Sequence, residues 1–166
     1  MGEQMAMSLD SAGLLKAWSW FGGHAAGRLV FSRIVGKLIP YTGTMGAVVE
    51  EIDRGRSLVR LDDRRLVRNH LGSIHAVALA NLGEFATGSA VLTATPAGGR
   101  AILKSLKAEY LKKARGTLRA SASVEPMTTV EKKDLSVRAE IKNEAGEVVA
   151  VVEAVWLVGP IKKEGA

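Results

Sequence analysis

Three polar residues stand out against an apolar background: Asn69, His75 and Glu84. From residue 74 to about residue 92 nearly every side chain is apolar or small, including Val77, Ala78, Leu79, Leu82, Phe85, Ala86, Ala90 and Val91. That is the pattern of a helix buried on most sides. Glu84 is the one charged residue in the stretch. An ionised carboxylate in such a place must be paired, hydrogen-bonded or open to a wet pocket or interface. A mostly apolar pocket would raise its pKa toward the range of a general base. The polar loop ahead carries Asn69, His70 and His75, with Gly72 serving its turn. Ser73 is the expected N-cap, without a capping box, because Ala76 stands three positions later. The first-turn amides, those of Ala76 and Val77, lack helical partners and carry the positive end of the helix dipole. Gly88, one turn beyond Glu84, leaves space beside it.

Other chemistries fail on spacing. Ser73 follows Gly72 directly, so no Gly-x-Ser-x-Gly elbow exists. No Gly immediately precedes Lys104-Ser105, which excludes a phosphate loop. His70 and His75 are five apart with no Glu between them, so the zinc-protease motif is missing. With three histidines and no cysteine, neither a metal nor another cofactor is expected.

The elements that position these residues follow from periodicity. Residues 9–39 are helical in tendency and interrupted at Gly22-Gly23; the second half sets Leu29, Val30, Ile34, Val35, Leu38 and Ile39 against Arg28, Arg33 and Lys37. Pro40 and Gly43 are expected to close it. Residues 48–52 and 57–61 read as a hairpin around Arg54-Gly55. After the long helix, residues 102–111 read as a strand in which Lys104 breaks the alternation of Ile102, Leu106, Ala108 and Tyr110. Residues 116–125 and 135–142 alternate as half-buried strands, and residues 148–158 are apolar enough for a central one. One apolar helix among runs of strands predicts an α+β domain, an antiparallel sheet wrapped around that helix. The expected divisions are a helical segment over 1–43, one globular unit over 44–160 and a tail over 161–166.

Asn69 and His75 lie six apart, and His75 and Glu84 nine apart. This spacing resembles that of the hotdog-fold thioesterases of the phenylacetate-pathway (PaaI-like) kind, which carry an Asn, a His-Gly-Gly and an acidic residue on the central helix. Here His-Gly-Gly is His75-Ala76-Val77, and the acid is Glu rather than Asp. The chain also resembles a hotdog group that begins with an extra helix. The resemblance implies a hotdog fold and hydrolysis of an acyl-CoA or other acyl thioester. Glu84 would be the general base or nucleophile, and Asn69 would orient water or thioester. The amides of Ala76 and Val77 would hold the thioester oxygen, His75 would sit at the helix start, and Gly72 and Gly88 would shape the acyl site. It further implies a homodimer or homotetramer in which Asn69 and the amides come from one chain and Glu84 from the other. An acyl-ligand-binding protein without turnover is the alternative, since Val77 brings a branched side chain where the pattern has glycine.

The net charge of +6 fits the phosphates of coenzyme A, with Arg100, Lys104, Lys112, Lys113 and Arg115 as candidates. Aromatic residues do not interleave with the basic ones as a base-stacking platform would, so nucleic acid is not expected. A basic amphipathic helix over residues 18–39 offers a membrane-surface or interaction reading, set below the thioesterase one. No basic n-region precedes an apolar run, and no uninterrupted apolar stretch reaches the roughly 18 residues of a membrane span. The expectation is a cytoplasmic protein.

Overall fold

The computed structural model describes residues 11–161. Its elements are α1 (Ser11–Phe21), α2 (Ala25–Leu38), α3 (Pro40–Thr44), β1 (Val48–Asp53), β2 (Arg56–Leu61), a 3-10 turn (Arg65–Val67), α4 (Ala76–Ala94), β3 (Gly99–Tyr110), β4 (Leu118–Ser123), β5 (Lys133–Lys142) and β6 (Val148–Pro160). Six strands form one antiparallel sheet in the order β1-β2-β4-β5-β6-β3, and α4 lies along its inner face. The expected α+β sheet around one long helix is therefore what the chain forms.

Alternation makes the sheet. On β5, Val137, Ala139 and Ile141 are buried while Arg138 is exposed. β6 supplies Ala150, Val152, Ala154, Trp156 and Val158 to the same inner face, and it is paired on both sides, by β5 and β3. Residues 148–158 thus never meet solvent as an edge. The edges are β1 and β3. α2 packs on β1, and the Val49 N–H donates to Ser32 Oγ at 2.9 Å, so a helix takes up an edge amide.

α4 sits close to the sheet because its facing residues are small. Ala86, Ala90 and Ala94 are fully buried. At Gly83 a Cβ would lie 2.4 Å from the Val152 Cβ, and at Gly88 it would lie 2.9 Å from the Trp156 ring. α4 is long and apolar enough to cross a membrane by composition, but 61% of that window is buried inside the fold. It is the core helix.

Several local expectations change. Ser73 is not the N-cap of α4; His75 is, its Nδ1 accepting from the Val77 N–H at 3.1 Å. The chain is still extended at Ile74, which bridges Arg68 and donates its N–H to the Ala114 carbonyl, so helical dihedrals start two residues later. α2 ends at Leu38 just before Pro40, as expected, but Pro40 also opens the short α3, where its missing N–H costs nothing, and Gly43 lies inside that helix rather than closing the segment. The irregularity at Lys104 is a β-bulge between Leu103 and Ser105. It flips the phase, so that Ala101 and Leu103 before it and Leu106, Ala108 and Tyr110 after it share one face. Ile102 falls on the other face, at 46% exposure. Leu9 and the tail from Lys162 lie outside the described residues.

Gly83→Ala tests the close seating of α4. Helix propensity alone predicts a gain of about 1 kcal/mol. The Val152 Cβ and its methyls leave no room, so a net loss of about 1–3 kcal/mol is expected by chemical denaturation. Adding Val152→Ala should recover part of it; a more stable single variant would mean that the helix does not sit this close.

Candidate active site

The loop before α4 is braced by its own side chains. Asn69 Oδ1 accepts from the Leu71 N–H at 2.9 Å and the Ser73 N–H at 3.1 Å, while its own N–H donates to the Ser73 carbonyl. These bonds close a turn in which Gly72 has a φ of +69°, a conformation that favours glycine. Asn69 Nδ2 has no protein partner among the described residues. From below, Asp63 accepts from Arg68 Nε at 2.6 Å and from the Gly116 N–H at 2.9 Å. The Arg68 hydrogen bond, helped by Gly116, holds the Asp63 carboxyl below its ordinary range despite its burial.

At the helix start the first-turn amides are unequal. The Val77 N–H is taken up by the His75 imidazole at 3.1 Å. Those of Ala76 and Ala78 have no partner among the described residues. The Ala76 carbonyl accepts from the Tyr110 hydroxyl at 3.0 Å, which ties the end of β3 to this point. His75 therefore acts as a cap in this structure, and its Nδ1 must be unprotonated to accept.

Residues 77, 81, 84, 88 and 92 form one ridge along α4, and none of the five is buried. Glu84 occupies its middle. Its carboxylate has no side-chain hydrogen bond or ion pair among the described residues. Burial raises its pKa above the ordinary 4.5. It lines a cavity of about 220 Å³ whose other walls include Phe31, Val35, Phe85, Ala101 and Trp156. Apart from Glu84, the polar side chains lining that cavity are those of Thr42 and Ser89. Space beside Gly88 is shared with Trp156, whose indole Nε1 donates to Thr87 Oγ1 at 3.3 Å.

Two polar residues near the site, Thr42 in the cavity wall and Asn81 beside it, are not among the sequence candidates. Thr42 Oγ1 donates to Asn81 Oδ1 at 3.1 Å, joining α3 to the ridge one turn before Glu84. Asn81 stands among Ala80, Leu82 and Gly83, so its polarity on an apolar helix was a usable signal. Thr42 carried none, because only the fold brings α3 to α4.

The structure does not bring the basic candidates together. Arg100 and Lys104 lie toward the start of β3, and Lys104 is paired with Asp134 at 2.6 Å. Lys112, Lys113 and Arg115 follow its far end, where Lys112 pairs with Glu147 at 2.6 Å. Lys112 lies eight positions beyond Lys104 and twelve beyond Arg100, roughly 26–40 Å at a strand's rise. Only the second group adjoins the start of α4, where the Ala114 carbonyl accepts from Ile74. Helix rise likewise separates the acid from the amides: Glu84 is eight positions along α4 from Ala76, about 12 Å.

Known structures agree with this fold. The protein designated APC5556 is 28% identical over 89% of this chain and 98% of its own, with a TM-score of 0.77. PA5026 of Pseudomonas aeruginosa, a protein of unknown function named a probable thioesterase, is 23% identical over 78% of this chain and 93% of its own, with a TM-score of 0.71. A phenylacetic acid degradation-related protein of Ralstonia eutropha JMP134 is 20% identical over 76% of this chain and 97% of its own, with a TM-score of 0.61. The expected hotdog fold is thus the observed one. No curated protein matches the chain. The family described as Domain of unknown function (DUF4442) matches residues 27–158, from the start of α2 nearly to the end of β6, and the chain belongs to it.

Proposed function

We propose that the protein is an acyl-CoA thioesterase. The carrying observation is Glu84: a carboxylate without a protein partner among the described residues, raised in pKa by burial and facing an apolar cavity. Such a group is costly to the fold unless used. The reading is supported by the thioesterase names of structures sharing the fold. In the reaction, water oxygen adds to the thioester carbonyl as Glu84 takes the water proton. The oxyanion forms against first-turn amides of α4, then collapses as the C–S bond breaks. The thiolate leaves with a proton, returned from Glu84, giving free acid and free thiol. Direct attack by Glu84 through an acyl anhydride is the other route by which the same carboxylate could act.

Twelve ångströms is too far for one thioester to reach both the Ala76 amide and Glu84 of one chain. The proposed site is therefore built from two chains, with Asn69 and the amides from one and Glu84 from the other. β3 supports this assembly: it is a long edge strand with Ile102, Tyr110 and Leu106 exposed at 46%, 49% and 37%. Pairing with its symmetry mate would remove that edge. The His75 cap on Val77 favours a second reading, an acyl-ligand-binding protein without turnover. A thiol-release assay across acyl-CoA substrates decides between them.

Glu84→Gln should keep the fold and lower turnover by about two decades or more. Because the folded pKa is raised, ionising Glu84 costs stability as pH climbs from 4.5 through the folded value. Gln removes that cost, so the variant should melt higher than the parent at pH 7 and no higher at pH 4 and below. Wild-type kcat/KM should fall on the acid side with an apparent pKa above 4.5. Full turnover by the Gln variant on the best substrate would sink the assignment.

Mixing Asn69→Ala and Glu84→Ala dimers tests the shared site. Random exchange gives about half mixed dimers, each with one site intact, so roughly a quarter of wild-type activity should return. No recovery despite exchange seen by mass spectrometry would place both residues in one site. Of the CoA-phosphate candidates, Lys113→Glu and Arg115→Glu should raise KM for acyl-CoA but not for a pantetheine thioester. Arg100→Glu, at the far end of β3, should leave both unchanged.

A further inference from the structure

The Glu84 cavity is not enclosed by the sheet and α4 alone. Leu14 comes from α1, and Phe31, Val35 and Ile39 come from α2 and its end. The N-terminal helices therefore supply a whole wall of the space next to the proposed catalytic carboxylate. That wall is fixed in place. Ser11 Oγ donates to the Thr93 carbonyl at 3.1 Å, anchoring α1 to the last turn of α4. Trp18 meets Phe31 edge-on with ring centroids 5.1 Å apart, anchoring α1 to α2. Ser32 Oγ takes the β1 edge amide, anchoring α2 to the sheet. On the opposite side, the Trp156 indole is held by Thr87 and fills the space left at Gly88.

We infer that α1 and α2 set the size of the acyl group that the protein accepts, with Leu14 as the limiting residue from α1. This rests on the thioesterase reading and adds the substrate class. An apolar cavity of about 150 Å³ accepts benzene, so a cavity of about 220 Å³ takes a ring with a few further carbons, or a medium linear or branched chain. Its lining carries no basic residue, and the only acid is Glu84 itself, so the acyl group is uncharged. Long-chain fatty acyl groups exceed it. Leu14 is 7% exposed and lies before residue 27, where the match to the family begins.

The test compares wild type, Leu14→Ala and Leu14→Phe on a series of acyl-CoA thioesters from acetyl to palmitoyl, with phenylacetyl-CoA and benzoyl-CoA. Thermal shift with the matching free acids gives a binding readout that does not need turnover. Wild type should peak at ring-sized or medium acyl groups. Leu14→Ala should move the optimum to longer chains, changing the ratio of kcat/KM between long and optimal substrates by about tenfold or more, as a few methylenes in an apolar pocket do. Leu14→Phe, which adds volume and so does not depend on the fold tolerating a cavity, should move it to shorter ones. A wild-type optimum at palmitoyl, or a length profile identical in all three proteins, overturns the inference while leaving hydrolysis intact. Absence of hydrolysis on every thioester, with free acids still stabilising the protein in a Leu14-dependent order, overturns the thioesterase reading and upholds the wall.

Discussion

The seating of α4 against the sheet is the constraint on which the rest of the molecule depends. The helix is nearly apolar all round, so it could bury any face. The side that reaches the sheet is the one with the least bulk, where Gly83 meets Val152 and Ala86, Ala90 and Ala94 are fully buried. Helix–sheet packing is dense and unforgiving of added volume, so this choice is strict. Once those residues face inward, the opposite ridge is determined by the helical repeat, and Glu84 is carried to its centre. The position of the carboxylate is thus a consequence of where the small residues are.

That ridge cannot be left open. Leu92 and the apolar flank of Phe85 would face water without cover. α1 to α3 provide it, held by Ser11, Ser32 and Thr42 through hydrogen bonds to Thr93, Val49 and Asn81. The cover is incomplete over Glu84, and the remaining space is the cavity. The same helices shield the β1 edge, leaving β3 as the long edge without a further strand beside it among the described residues. Apolar residues on β3 and a 53%-exposed Val77 at the helix start are open to solvent in this chain, and they are the surface on which the proposed two-chain site rests.

Much of this was legible in the order of residues. Alternation of small apolar and polar residues marked β4 and β5, and continuous apolar runs marked β6 and α4, because the pattern reports directly which sides of an element meet the core. Glu84 was legible for the same reason: one charge on an apolar helix is a local anomaly. Asn69 and Gly72 were legible as loop residues. Three things misled. Ser73 has a cap's chemistry, but the bridge between Arg68 and Ile74 keeps the chain extended there and passes the role to His75. The Lys104 irregularity looked like a flaw in a strand and is a bulge that reverses its phase. The basic residues from Arg100 to Arg115 are near in number and far in space, because an extended strand separates its ends faster than any other element.

By itself the sequence determined the elements, their apolar faces, the α+β class and the single acid that the core helix carries, since each is a property of a few neighbouring residues. Tertiary structure decided which amides at the helix start are free and which residues wall the space beside Glu84. Those depend on pairs distant in the chain: Leu14 with Glu84, Thr42 with Asn81, Trp156 with Gly88. No local pattern encodes such pairs, because burial drives the chain to cover an apolar ridge without specifying from one stretch of sequence which other stretch will do the covering.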